Sequence, residues 1–225
     1  MACTIGIPIV EQFDLMDVAN PYEIFCWMRP FWKAAGTELD VKLIGHKRHA
    51  AVKAFNGASL TTHASFDDVA KTPMDLIFVP GGGDAYVGKA TGDKKLLNFV
   101  RHHAAGAKWV ASVCTGAFVL ATAKLLDGRR ATTHWLYLDK LRADYSKIDV
   151  VNGYPRFVTD GKFVTGGGIS SGIDEALFLA SAIAGEQIGR DIELAIQYRP
   201  QPPYNVGDPA VADYKTWKEV TTDLS

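Results

Sequence analysis

The run Lys108-Trp109-Val110-Ala111-Ser112-Val113-Cys114-Thr115-Gly116-Ala117-Phe118-Val119-Leu120 constrains this chain more than any other segment. Apolar, β-favouring residues lead up to Cys114, and small, helix-favouring ones lead away from it. A cysteine on such a strand-to-helix turn stands at the end of a sheet and faces the N–H groups of a helix start. Those groups favour a thiolate, so the expectation is a thiol pKa below the ~8.5 of a free cysteine and ready oxidation to the sulfenic or sulfinic acid. The competing reading is an inert, packed core cysteine, a common fate of free thiols.

Around that run the chain alternates strands and helices. Thr4 to Val10 reads as a first strand, Asp17 to Met28 as a helix with Pro21 in its first turn, and Val41 to Gly45 as a second strand. Val52 to Ser65 is turn-rich, with short strand-like pieces. Asp75 to Val79 is an apolar strand ended by Pro80-Gly81-Gly82-Gly83. A helix follows over Lys94 to Ala105, then the Ala107–Val113 strand and a Thr115–Leu126 helix. Next come a helix near Leu136–Arg142 and a hairpin pairing 156–158 with 162–164 across Thr159-Asp160-Gly161. Helices over Ser171–Ala184 and Gln187–Tyr198 precede a proline-rich segment from about 199. This order predicts one α/β domain over 1–225, with a mostly parallel sheet covered by helices on both faces.

A formal net charge of −1 gives no electrostatic reason to expect nucleic acid or an anionic membrane as partner. Three widely spaced cysteines, Cys3, Cys26 and Cys114, form neither a disulfide framework nor a zinc pattern. With no signal peptide or bilayer-spanning run in view, a cytoplasmic location is expected.

Sites on open parallel sheets lie at the carboxyl ends of strands. Three such ends stand out here: the Pro80–Gly83 run, Cys114, and Thr165-Gly166-Gly167-Gly168-Ile169. Glycine N–H groups there could stabilise negative charge, or the glycines could serve turn geometry alone. Neither run carries the Gly-Lys-Ser/Thr that cradles phosphate. Asp17 and its neighbour Asp14 open the first helix, each a candidate for proton transfer or for a helix cap. His134, in Ala131-Thr132-Thr133-His134-Trp135, is the candidate for a Cys–His pair, or else a histidine bonded near a helix start. Thr115 has a role by position at the cysteine turn, and no metal site is expected.

Three segments together resemble the DJ-1/PfpI superfamily: Ile77-Phe78-Val79-Pro80-Gly81-Gly82, Ser112-Val113-Cys114-Thr115-Gly116-Ala117, and Leu125-Leu126-Asp127-Gly128-Arg129-Arg130-Ala131-Thr132-Thr133-His134-Trp135. Asp17-Val18-Ala19-Asn20-Pro21 and the tail Gln197 to Pro209 are similar to the isocyanide hydratase branch. The resemblance implies a flavodoxin-like three-layer sandwich with Cys114 on a nucleophile elbow, and a homodimer. It implies an isocyanide and water as reactants, N-substituted formamide as product and no cofactor. Cys114 would be the nucleophile, Asp17 the general acid and base, and Thr115 a group positioning both. Backbone N–H groups near Gly82, Thr115 and Ile169 would stabilise sulfur or developing charge, with His134 and Gly167 as accessory groups. Two rivals remain open. One is a glyoxalase- or deglycase-like cysteine enzyme, which His134 favours and Asp17 disfavours. The other is a small-molecule or redox sensor, for which the segment Ala210 to Ser225 is too short to add a DNA-binding module. The aromatic-rich stretch Met28 to Glu38 departs from the pattern and is expected to line the pocket or an interface.

Overall fold

The computed structural model describes residues 2–34, 36–204 and 206–210. The elements in chain order are β1 (Ala2–Pro8), α1 (Leu15–Ala34), β2 (Glu38–Gly45), β3 (Ala51–Lys53), β4 (Ser59–Thr61), β5 (Ala64–Ser65) and β6 (Leu76–Val79). They continue with α2 (Asp84–Gly92), α3 (Lys94–Gly106), β7 (Trp109–Ser112), α4 (Gly116–Thr122), β8 (Arg130–Ala131) and α5 (Leu138–Asp144). The last are β9 (Asp149–Val150), β10 (Phe157–Asp160), β11 (Phe163–Gly166), α6 (Ser171–Ala184) and α7 (Glu186–Ala195). Residue 205 and residues 211–225, which hold part of the tail motif and most of the segment after Pro209, lie outside the described residues.

Seven strands form the central sheet in the order β10-β11-β7-β6-β1-β2-β5, parallel except for the β10–β11 hairpin. Every residue of β6 is buried, as a parallel strand covered on both faces requires. Helices α1, α6 and α7 pack together in one layer, and α2, α3 and α4 in the other. The expected three-layer α/β sandwich is therefore the fold. The chain leaves β1 toward the first helix layer and β6 toward the second, so the crevice of the sheet opens between these neighbouring strands. No helix among the described residues is long and apolar enough to cross a membrane.

Four local readings are corrected. Helix α1 begins at Leu15, which puts Pro21 in its second turn rather than its first. Pro21 has no N–H to give the carbonyl of Asp17, yet buried packing against α6 holds the helix through it. The helix also runs on past Met28, the end read from sequence, and takes in residues 28–34 of the aromatic-rich stretch. The hairpin turns at Gly161-Lys162, because Asp160 pairs with Phe163. Helix α2 went unread: its sequence is short and weakly amphipathic, and it begins directly from the glycine run.

Candidate active site

Three strand ends converge on Cys114. β7 pairs with β6 and β11, so Val79 and Thr165 both lie beside Ser112. Cys114 then adopts a left-handed backbone, with φ of +56°. That conformation is costly for a residue with a Cβ, on the order of 1–3 kcal/mol, and persists only where the surroundings over-determine it. They do so here. The Cys114 N–H donates to the Gly167 carbonyl at 2.8 Å, and the Thr133 hydroxyl donates to the Cys114 carbonyl at 2.8 Å. Gly116 lets the following helix approach β6, since a Cβ there would run into the Val79 carbonyl oxygen.

Thr115 and Gly82 bind each other. The Thr115 hydroxyl donates to the Gly82 carbonyl at 2.6 Å and accepts the Gly82 N–H at 2.8 Å. Two expectations change with this. Gly82 has its N–H committed and does not face the sulfur, and the Thr115 hydroxyl clamps two strand ends together rather than reaching Asp17. What reaches the Cys114 sulfur is the backbone N–H of Thr115 and that of Ile169, both favouring the thiolate. Gly167 supplies its carbonyl to Cys114 while its own N–H goes to Arg156.

The two aspartates separate cleanly. Asp14 precedes α1 and accepts the Met16 N–H at 2.9 Å, so it is the cap. Asp17 turns inward and is fully buried, and its Oδ2 accepts the Gly81 N–H at 3.0 Å. Its Oδ1 meets no donor with full hydrogen-bond geometry among the described residues, and the Cys114 thiol is the neighbour that interacts with the carboxyl. Burial first, and then the charge of Asp14, push the Asp17 pKa well above the usual carboxylate range.

The expected low thiol pKa is reversed. Burial and the charge of Asp17 push the Cys114 thiol well above its ordinary value, and the two N–H groups offset this only in part. Helix α4 has only seven residues, so its N-terminal field is a weak counterweight. With the side chain 4% exposed, ready oxidation loses both of its usual causes, a free thiolate and access. A buried thiol and carboxyl in contact titrate as one coupled unit, and burial favours the protonated form of both.

His134 is not part of that unit. Its Nδ1 accepts the Leu136 N–H at 3.3 Å, its ring stacks on Trp135, and the ring edge packs over Gly168. Burial lowers its pKa to about 4, which leaves it neutral, with the remaining proton on Nε2. It lines a cleft of about 1190 Å³ with Met16, Trp135, Tyr154 and Ile169, next to the Cys114 turn. The sequence reading missed Tyr86 of α2, whose buried hydroxyl donates to the Pro80 carbonyl at 2.7 Å beside the pair. It also missed Glu175 of α6, fully buried near Asp17. A carboxylate on the apolar stripe of that helix is the signal that could have found it.

Residues 4–182 match the DJ-1/PfpI family, and the chain belongs to it. It is 37% identical over 212 residues to an isonitrile hydratase from Pseudomonas putida, covering 94% of this chain and 86% of that protein. Among solved structures, a ThiJ/PfpI family protein from Pseudomonas syringae superposes with a TM-score of 0.86 at 25% identity, covering 100% of this chain and 88% of that one. Drosophila melanogaster DJ-1beta superposes with a TM-score of 0.75 at 18% identity over 89% of this chain and all of that one, a likeness of fold.

Proposed function

We propose that this chain is an isocyanide hydratase, converting an isocyanide and water into an N-substituted formamide without a cofactor. One observation carries the reading: a fully buried Asp17, with no cation beside it among the described residues, in contact with a thiol that receives two backbone N–H groups. The similarity to an isonitrile hydratase supports it along nearly the whole chain.

The chemistry starts from the form of the pair that shares a single proton. With that proton on Asp17, the Cys114 sulfur attacks the terminal isocyanide carbon and forms a C–S bond, and Asp17 delivers its proton to the same carbon. The product is a covalent thioimidate, R–N=CH–S–Cys114, beside an ionised Asp17. Asp17 then takes a proton from water as the oxygen adds to that carbon. Asp17 passes that proton to the nitrogen, and the C–S bond breaks as the hydroxyl oxygen becomes the formamide carbonyl, which restores the thiolate. The hydroxyl proton returns to Asp17, which closes the cycle. Raised proton affinity suits Asp17 to both halves, as acid first and base second. Thr133, Thr115 and Gly167 hold the elbow, and the Thr115 and Ile169 N–H groups stabilise the sulfur each time it carries charge.

The glyoxalase-like alternative is weakened, because its cysteine is generally paired with glutamate and often with histidine, and His134 spends Nδ1 on Leu136 instead. The proposal includes a cytoplasmic homodimer, whose contact would cover exposed apolar side chains such as Met16, Trp27 and Tyr154; light scattering in solution reads the dimer directly. The activity is tested by formamide production from an aryl isocyanide. The expected result is turnover by the wild type that is lost in Cys114→Ala and Asp17→Asn and retained in His134→Ala. A folded wild type with reduced Cys114 and no turnover would overturn the assignment.

A further inference from the structure

Helix side chains lean toward the helix N-terminus, and on α6 this carries Glu175 up toward the strand ends under Cys114. A Cβ at Gly166 would run into Glu175 Oε2 and would lie 3.4 Å from the Cα of Val113, the residue before Cys114. The carboxyl therefore occupies space that exists because residue 166 is glycine. It is fully buried, and neither Oε1 nor Oε2 has a hydrogen-bond partner among the described residues. A leucine or methionine would fill such a position at lower cost, since a buried acid without a partner is stable only when protonated.

The surroundings of Glu175 name what it answers to. Burial first, and then the charge of Asp17 on α1, raise its pKa well above the ordinary glutamate range. β7 and β11 bring Val113 and Gly166, neither of which titrates. Asp174, its neighbour along α6, turns away to Arg156 at 2.6 Å and Tyr198 at 2.9 Å. Asp14 and Cys114 act on Asp17 directly.

We propose that Glu175 is a positioning residue for Asp17: it keeps a neutral carboxylic acid behind the Cys114–Asp17 pair and limits the buried cluster to one negative charge. The proposal rests on the reading of Asp17 as the acid and base of the site. An ionised Glu175 would put a second charge beside Asp17, hold the proton on it and remove the base needed in the second half of the reaction. Glu175 thereby sets the alkaline limit of the working site. Its cost falls on stability, because the unfolded chain ionises this group at a lower pH than the folded one.

The test compares wild type with Glu175→Gln and Glu175→Met by two measurements that need no isocyanide. Heat unfolding between pH 5 and 9 reads the proton on Glu175. A folded-state pKa raised above ~4.3 means stability that is complete below that pH and lost as pH rises toward the folded value. Both variants should therefore gain Tm over wild type, by about 3 °C more for each pH unit. A gap that does not change with pH overturns the neutral acid. The rate of Cys114 alkylation by iodoacetamide, followed on the Cys114 peptide, reads the coupling. In both variants its alkaline rise should move about one unit lower in pH, roughly tenfold in rate at fixed pH on the flank. Superimposable profiles would leave Glu175 merely structural and overturn its positioning role. Both trends holding in a protein without isocyanide turnover would support this proposal while removing the hydratase reading.

Discussion

The sheet carries two cysteine–aspartate pairs, one at each end, and they have opposite chemistry. At the end where β1 begins, Cys3 sits against Asp75, which precedes the neighbouring strand β6. Asp75 accepts the Thr4 N–H at 3.0 Å and lies 2.9 Å from the Lys108 ammonium. Burial alone would raise its pKa, but Lys108 and the Thr4 N–H bring it below the usual value, so it stays ionised. Burial, and then that fixed charge, push the Cys3 thiol up to about 12, and it is inert. At the opposite end Asp17 has one N–H donor and, among the described residues, no lysine or arginine acting on it, and its pKa rises instead. The residue types are the same. A cation beside the carboxylate fixes the charge at one end, while its absence leaves a mobile proton at the other.

The sharpest way to break this comparison is to remove each sulfur. Cys114→Ala should cost formamide production about 10³-fold or more, whereas Cys3→Ala should leave it within twofold, by initial rates at saturating isocyanide. Asp17→Asn should lose about 10²- to 10⁴-fold, the usual worth of a positioned acid or base. The same substitution should raise stability at neutral pH. Because the Asp17 pKa is raised on folding, its contribution is complete below ~4 and lost as pH climbs toward the folded value. A neutral isostere that keeps the Gly81 N–H bond escapes that loss, and Tm should rise by about 3 °C or more at pH 7.5. Gly116→Ala should destabilise the protein by about 1–3 kcal/mol in urea unfolding, because its Cβ meets the Val79 carbonyl at the elbow. Asp75→Asn gives the smallest effect and the opposite sign to Asp17→Asn. A pKa lowered on folding contributes stability above ~4 that is lost as pH falls through the folded value. Removing the charge should therefore lower Tm at pH 7.5, by about 1–2 °C for a pair this close to solvent. Equal signs for the two asparagine variants would refute the contrast between the ends.

The elbow was legible because its information is local. A β-favouring run, a cysteine and a small-residue helix start adjoin in the chain, and hydrophobic pattern marks β6, β7 and α6 in the same way. Asp17 was legible only as one of two aspartates, and choosing between them took the cap geometry of Asp14. The Gly82–Thr115 clamp joins residues 33 apart, and no spacing in either segment announces that the hydroxyl serves Gly82 rather than Asp17. His134 stood beside an attractive motif, yet its Nδ1 found a donor two residues away.

By itself the sequence determined the alternation of strands and helices, the cysteine at a strand end and the small residues that let helix and strand approach there. These follow from periodicity and side-chain size, which act over a few residues. Only the tertiary structure decided which groups are charged. That choice depends on burial and on partners brought from distant segments: Lys108 beside Asp75, Glu175 behind Asp17, and N–H groups from Thr115 and Ile169 on the sulfur. The energy of a charge depends on everything within several ångströms of it, and folding chooses those neighbours without regard to their order in the chain.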